Sequence, residues 1–193
     1  SQAASEQPEV TTITETKGEN TNTHTAVQAI SQNIVASAQE MTDASQQVIA
    51  DNIAKKEEEE RLAREKAEQE AKEKAEREAR EAYVRANQEL LASIIYCEAG
   101  NQPYEGQVAV GAVIMNRVKS GSYPNSIEEV IYQSGQFGPA ATGWLNRVRS
   151  SKGYSQTALQ AAVDALNGSN PIGNCLYFDQ GGAGMKIGAH YFH

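Results

Sequence analysis

The stretch IIYCEAGNQPYEGQVAVGAVIMNRV, residues 94–118, holds the end of one predicted helix, a tight connection and the apolar interior of a second helix. Gly100, with Asn101 behind it, is a favourable end for the first helix, and Pro103 suits the first turn of the next. The second helix is apolar on nearly every side, so we expect it to run through the core of a globular domain.

Glu98 is the one charged side chain at the end of the first helix. Leu91, Ile95 and Glu98 stand at i, i+4 and i+7, so the carboxylate extends a ridge of buried apolar residues. Partial desolvation there raises a carboxyl pKa toward neutrality, as a general acid requires. The simpler alternative is a carboxylate that faces solvent in the last turn, although a negative charge is unfavourable at a helix C-terminus.

Residues 86–193 as a whole predict an α+β domain of four helices, including the two just described, and a small β-hairpin. The segment SIEE, residues 126–129, is a capping box that opens a short helix, and another helix is expected over residues 155–166. The segments CLYFDQ and MKIGAHYFH have the pattern of strands joined by the turn GGAG.

The chain before residue 86 has a different composition. Residues 1–25 are polar and predict disorder, whereas residues 26–54 place apolar side chains near heptad spacing and predict an amphipathic helix. Residues 55–85 consist almost wholly of Glu, Lys, Arg, Gln and Ala, which predicts a long charged helix, a stalk without a core of its own. A single helix is favoured over a coiled coil because the alanines drift around the helix surface.

Charge and hydropathy exclude some functions. The net charge of −8 comes mostly from the first 50 residues, and no basic patch suited to nucleic acid is present. No apolar run is long enough to cross a bilayer. The chain starts at Ser1 without an initiator methionine, and its polar beginning is typical of the segment after a secretory signal, so we expect a secreted protein.

Several motifs of residues 86–193 occur together in one known family. They are EA before PYEGQVAV, NRV at the end of the next helix, the turn PNSI, the loop QSGQF and the final GAHYF. In this combination the domain resembles the SleB-type cell-wall hydrolases, the family of spore cortex-lytic enzymes that act in germination. The resemblance does not extend to the stalk.

The resemblance implies a lysozyme-like fold and peptidoglycan as the partner. It also implies lytic transglycosylase chemistry, with Glu98 as the catalytic acid. We also expect no cofactor and no metal. Many members carry a second glutamate four residues later, where this chain has Gln102, which cannot transfer protons. Glu105 and Asp179 are the remaining candidates for a second acid. Whether the substrate is vegetative wall or spore cortex stays open, and a monomer is expected.

Four side chains are predicted to contact substrate: Gln136, Phe137, Tyr177 and His190. Sugar rings pack against aromatic faces and present hydroxyl and acetamido groups to polar side chains, which this mixture would satisfy. A role in core packing is the alternative for the aromatic residues and for the histidine. Arg117 also matches the family pattern, as do Gln107 and Asn116, but we interpret all three as structural.

The two cysteines, Cys97 and Cys175, allow a disulfide in an exported protein. We predict this bridge, which would tie the catalytic helix to the hairpin. Two free buried thiols are the alternative. Cys97 with His190 could instead form a cysteine peptidase, but a cysteine late in a helix lacks the dipole that lowers its pKa. A zinc site that adds His193 lacks the usual ligand spacing. A wall-binding protein without activity is the remaining alternative.

Overall fold

The computed structural model describes residues 19–193, and this part of the chain contains six helices and three short strands. The elements in chain order are α1 (Glu19–Ala99), α2 (Tyr104–Lys119), α3 (Ile127–Ile131), α4 (Gly138–Thr142), α5 (Trp144–Ser151), α6 (Gln156–Leu166), β1 (Phe178–Asp179), β2 (Met185–Ile187) and β3 (His190–Phe192). The α+β fold class predicted from the sequence is confirmed. By its internal contacts the chain divides into two units, residues 1–68 and 69–193, which are described separately.

Helix α1 begins earlier than the sequence predicted. Residues 19–25 were expected to be disordered, but they belong to this helix, whereas residues 1–18 lie outside the described part of the chain. Extending an existing helix adds one hydrogen bond for each residue fixed, so the polar composition does not prevent helix formation. The hydroxyl of Thr25 also donates a hydrogen bond of 2.8 Å to the carbonyl of Thr21.

The described part of the first unit, residues 19–68, is helical and exposed throughout residues 21–68. Its charged segment carries ion pairs one turn apart, among them Lys56 with Glu60 at 3.8 Å and Arg61 with Glu65 at 2.6 Å. Each exposed pair of this kind stabilises a helix by about 0.2–0.5 kcal/mol. Across residues 19–193, no helix combines the length and hydropathy that a membrane span requires.

The core of the second unit forms where the last turns of α1 pack with α2 and α6. Leu91, Ile94 and Ile95 of α1 are fully buried, and α2 is buried along most of its length, as expected. Gly111 allows the close approach of these helices, because a Cβ there would lie 2.8 Å from the Cβ of Ala165 and 3.1 Å from Ile95 Cδ1. A larger residue at this position would force the helices apart.

Two predicted helix starts are confirmed by their caps. The Ser126 hydroxyl accepts a 3.1 Å hydrogen bond from the Glu129 amide at the start of α3. The Ser155 hydroxyl accepts one of 3.0 Å from the Ala158 amide at the start of α6. Helices α4 and α5 were not predicted, and they are separated by Gly143, whose φ of 80° ends one helix and precedes the other.

The small sheet has three strands, one more than the predicted hairpin. Strand order is β1-β3-β2, and both pairs are antiparallel. The segment MKIGAHYFH does not stay extended, because Gly188 adopts a φ of 59° and reverses the chain between β2 and β3. A Cβ at Gly188 would lie 2.5 Å from Gln102 Oε1, so the turn also needs glycine to approach the connection between α1 and α2.

Candidate active site

Glu98 lies in the last turn of α1, half-buried beside the fully buried Ala99. Leu91 and Ile95, on the same ridge, are fully buried, so the carboxyl group stands at the edge of the core. Burial raises the pKa of Glu98 above the ordinary range of a carboxyl group. Within residues 19–193 its side chain has no hydrogen-bonded or ion-paired partner, which leaves both oxygens available to an external group.

Cys97 adjoins this carboxyl group and is a poor nucleophile. Burial, together with the negative charge of Glu98, raises the pKa of the Cys97 thiol to about 11, so the group is a thiol at neutral pH. The raised pKa therefore gives no support to a peptidase that uses Cys97 as its nucleophile.

The predicted disulfide between Cys97 and Cys175 is wrong, because both cysteines are free in the structure. The carbonyl of Cys175 accepts a 2.9 Å hydrogen bond from Asn116 Nδ2, which fastens that segment near the C-terminal end of α2. Cys97 belongs instead to the helix that leads into the N-terminal end of α2. The two cysteines are thus associated with opposite ends of a 16-residue helix.

Arg117, in the last turn of α2, links two of the loops that carry predicted substrate residues. Its guanidinium is buried, with 4% of the residue exposed. The Nε atom donates a 2.7 Å hydrogen bond to the carbonyl of Leu176, and Nη1 donates one of 3.0 Å to Oε1 of Gln136. Burial lowers the pKa of Arg117, and these hydrogen bonds compensate part of the desolvation of the charge.

The same guanidinium lies against three aromatic rings. Its central carbon is 4.8 Å from the ring centroid of Tyr123 and 5.4 Å from those of Phe137 and Tyr177. Such contacts between a cation and aromatic faces are favourable, the more so when the cation is desolvated. Arg117 therefore brings together three of the four predicted substrate residues, Gln136, Phe137 and Tyr177, and with Tyr123 these residues form what we call the Arg117 cluster.

Exposure distinguishes the members of this cluster. Gln136 is exposed and Tyr177 is 47% exposed, so both are open to a ligand. Phe137 is only 4% exposed and packs toward the core. Arg117 and Tyr123 were not predicted as site residues from the sequence, although the NRV motif contained the signal for Arg117.

His190 lies in the aromatic core of the sheet. It is 6% exposed and stands edge-on to Phe178 at 5.2 Å and to Phe192 at 6.3 Å between ring centroids. Burial lowers its pKa, which favours the neutral ring, and its Nδ1 has no partner within the described chain. These contacts favour a packing role, and substrate contact by His190 stays a prediction.

The candidates for a second acid have other environments. Asp179 pairs with His193 at 2.9 Å, and this hydrogen bond, followed by one from the Gly181 amide, lowers the Asp179 pKa, opposite to the need of a general acid. Glu105 is exposed in the first turn of α2. In residues 19–193, no three His, Cys, Asp or Glu side chains are grouped as metal ligands would be.

Comparison with known proteins identifies the class to which this fold and site belong. Residues 101–192 match the family model described as Cell Wall Hydrolase. The crystal structure of the catalytic domain of the Bacillus cereus SleB protein is 36% identical, with a TM-score of 0.50, and the match covers 57% of this chain and 91% of that domain. The chain belongs to the SleB-type cell-wall hydrolase family.

Curated relatives agree with this membership. The spore cortex-lytic enzyme of Bacillus cereus is 41% identical over 96 residues, and that of Bacillus subtilis is 42% identical over 89 residues. These alignments cover 50% and 46% of this chain, but 35% and 28% of the relatives. The chain thus spans about a third of the length of the curated relatives it matches.

Proposed function

We propose that this protein degrades peptidoglycan by cleaving the β-1,4 bond between N-acetylmuramic acid and N-acetylglucosamine, with Glu98 as its acid and base. The observation that carries the proposal is the half-buried carboxyl group at the end of α1, which has no partner within residues 19–193 and whose pKa is raised by burial. The family match begins at residue 101, so the role of Glu98 rests on its position and chemistry.

The proposed reaction needs one carboxyl group. Protonated Glu98 donates its proton to the glycosidic oxygen as the bond from that oxygen to muramoyl C1 breaks. The resulting carboxylate accepts the proton of the muramoyl C6 hydroxyl while O6 bonds to C1. The products are a free N-acetylglucosamine 4-hydroxyl and a 1,6-anhydromuramoyl end, and Glu98 is protonated again without consuming water.

The environment of the other acids favours this scheme over hydrolysis. Glycosidases that use water generally employ two carboxyl groups at a defined separation. The lowered pKa of Asp179 and the amide at Gln102 leave no second buried acid beside Glu98 among the candidates. A hydrolase that uses the exposed Glu105 is the second candidate function.

Substrate would be held by the exposed members of the Arg117 cluster. Tyr177 offers about half of its surface to solvent, and Gln136 is oriented by its hydrogen bond from Arg117. Sugar acetamido groups and ring faces match an amide and an aromatic ring at these positions. Phe137 is buried and contacts the same guanidinium, so it would help to fix the Arg117 side chain that orients Gln136.

The domain boundaries and the localisation predicted from the sequence are also part of this proposal. Residues 86–193 would be the catalytic domain, and residues 55–85 a single-helix stalk that holds it near wall or envelope partners. The protein would act outside the cytoplasm, on vegetative wall or spore cortex. The helical state of residues 55–85 and their lack of buried side chains support the stalk, except for the half-buried Val84 at its end.

The test is digestion of purified peptidoglycan by the full chain, with mass spectrometry of the released fragments. We expect 1,6-anhydromuramoyl ends, which are one water lighter than the reducing ends of a hydrolase. Glu98→Gln should lower the rate about 10²–10⁴-fold, the usual contribution of a general acid, whereas the exposed Glu105→Gln should retain the wild-type rate.

Other products would contradict the proposal in recognisable ways. Reducing muramic ends would indicate the hydrolase, particularly if Glu105→Gln were inactive. Cleaved peptide stems would indicate a peptidase, and binding to sacculi without release of fragments would indicate a wall-binding protein. Activity that survives in Glu98→Gln would remove Glu98 from the mechanism.

A further inference from the structure

A cavity of about 370 Å³ lies at the C-terminal end of α1, at the helical turn that carries Glu98. Its lining residues are Tyr96, Cys97, Gly100, Asn101 and Trp144. Glu98 stands between Cys97 and Gly100 in sequence, and its charge reaches the Cys97 thiol. The cavity thus adjoins the helical turn that carries Glu98, although Glu98 is not among its lining residues, and none of those residues belongs to the Arg117 cluster.

Trp144 forms one wall of the cavity and is held there by a rigid element. The residue is 40% exposed, so part of its indole ring is available to a ligand. It is the first residue of α5, and Leu145 and Val148 of the same helix are buried in the domain. Gly143, with a φ of 80°, sets the direction from which α5 begins. The indole is therefore presented to solvent by an anchored helix.

Gly100 keeps another wall of the cavity open. A Cβ at this position would lie 2.5 Å from the carbonyl oxygen of Tyr96 and 3.1 Å from Cδ2 of its ring. Any side chain here would collide with the helix end and with the Tyr96 ring that lines the cavity. The cavity thus depends on glycine at the C-terminus of α1.

The chemistry of the lining selects the ligand. The end of α1 presents backbone carbonyls and the negative end of the helix dipole, so an anion is disfavoured. The Asn101 amide and these carbonyls can bond hydroxyl and acetamido groups. The indole face can pack against the apolar C–H face of a pyranose. A volume of this size is within the range of small-ligand sites.

We propose that this cavity is a sugar-binding subsite for a neutral N-acetylglucosamine ring of the glycan strand, with Trp144 as its stacking platform. This inference rests on the proposed function and extends it, because it places a substrate ring at the helix end that carries Glu98, in a cavity that shares no residue with the Arg117 cluster. Trp144 is a binding residue in this assignment and takes no part in proton transfer.

The sequence contains a single tryptophan, so the emission of Trp144 reports directly on the cavity. The Glu98→Gln chain, in which cleavage should be about 10²–10⁴-fold slower, would be titrated with tri-N-acetylchitotriose while tryptophan emission is recorded. We expect a saturable change in intensity and wavelength as the sugar covers the indole. Emission that stays constant up to millimolar sugar overturns the subsite.

Kinetics of substituted chains provide the second test. Trp144→Ala should raise KM for soluble glycan strands about tenfold, equivalent to the loss of one good aromatic contact, with kcat nearly unchanged. Trp144→Phe should lie between this variant and the wild type. Tyr83→Ala is the matched control, because Tyr83 is a similarly exposed aromatic residue (39%) outside the cavity.

The outcomes separate the subsite from the proposed function. A Trp144→Ala chain with the KM of the Tyr83→Ala control overturns the subsite and leaves the role of Glu98 untouched. A wild-type chain that releases no anhydromuramoyl ends, yet shows the emission change, keeps the subsite and overturns the proposed chemistry. Circular dichroism of each variant would show that the helical content is retained.

Discussion

The side-chain oxygen Oε1 of Gln102 accepts a 2.8 Å hydrogen bond from the backbone amide of Ala189. This bond joins the connection between α1 and α2 to the turn between β2 and β3, 87 residues further along the chain. Only an acceptor is needed, and the oxygen of an amide serves as well as that of a carboxylate. Gln102 therefore has a structural role that does not involve proton transfer.

Replacement of Gln102 should separate structure from catalysis. Gln102→Ala removes the acceptor and should lower the free energy of unfolding by about 1 kcal/mol, the net value of one hydrogen bond. Gln102→Glu restores an acceptor and should lie within about 0.5 kcal/mol of the wild type. Urea denaturation measures both. A new ionisation in the pH–rate profile of Gln102→Glu, with a higher rate, would contradict the structural role.

The raised pKa of Glu98 predicts that activity and stability both decrease as pH rises. The acid must be protonated, so kcat/KM should fall as pH rises through the folded-state pKa of Glu98. The folded state also binds this proton more tightly than the unfolded chain, so stability is lost over the same rise in pH. Glu98→Gln should thus be more stable than the wild type at pH 8, and the advantage should shrink toward pH 4.

Denaturant unfolding at several pH values, with Glu105→Gln as the exposed control, measures the stability part of this prediction. The control should follow the wild type at each pH, because Glu105 is exposed at the start of α2. If Glu98→Gln and the control have the same stability from pH 4 to pH 8, burial does not raise the pKa of Glu98, and the prediction is wrong.

Arg117→Lys should disrupt the loops that carry Gln136 and Tyr177. Lysine keeps the charge but cannot make both guanidinium hydrogen bonds or lie flat against the rings. We expect a loss of about 1.5–3 kcal/mol in the free energy of unfolding and a higher KM. The matched control is Arg149→Lys, whose ion pair with Glu128 at 3.9 Å is exposed and worth less than about 1 kcal/mol. Equal effects of the two substitutions would contradict a special role for Arg117.

Both cysteines should behave as free thiols, and Cys97 should react slowly. With a pKa of about 11, Cys97 has little thiolate at pH 8, so iodoacetamide should alkylate it about a hundredfold more slowly than an unburied thiol. Mass spectrometry after timed alkylation measures this rate. Cys97→Ser should retain activity on peptidoglycan, and loss of activity with normal folding would revive the peptidase hypothesis.

Local pattern was sufficient to predict most helices. The capping box at Ser126 and the cap at Ser155 depend on residues three apart, so the sequence shows them directly. The ridge of Leu91 and Ile95 predicted that Glu98 would be half-buried, because helical spacing alone fixes which side chains share a face. The sheet was less well predicted, since its strands are only two or three residues long.

By itself, the sequence thus determined four of the six helices of residues 19–193, the apolar face of α1, the position of Glu98 and the resemblance to the family. Only the tertiary structure decided that Arg117 gathers Tyr123, Gln136 and Tyr177, and that the two cysteines remain apart. The reason is physical. Helical periodicity depends on residues three or four positions apart in the chain, whereas contacts between distant segments depend on how the helices and loops pack. The cavity beside Trp144 follows from packing in the same way.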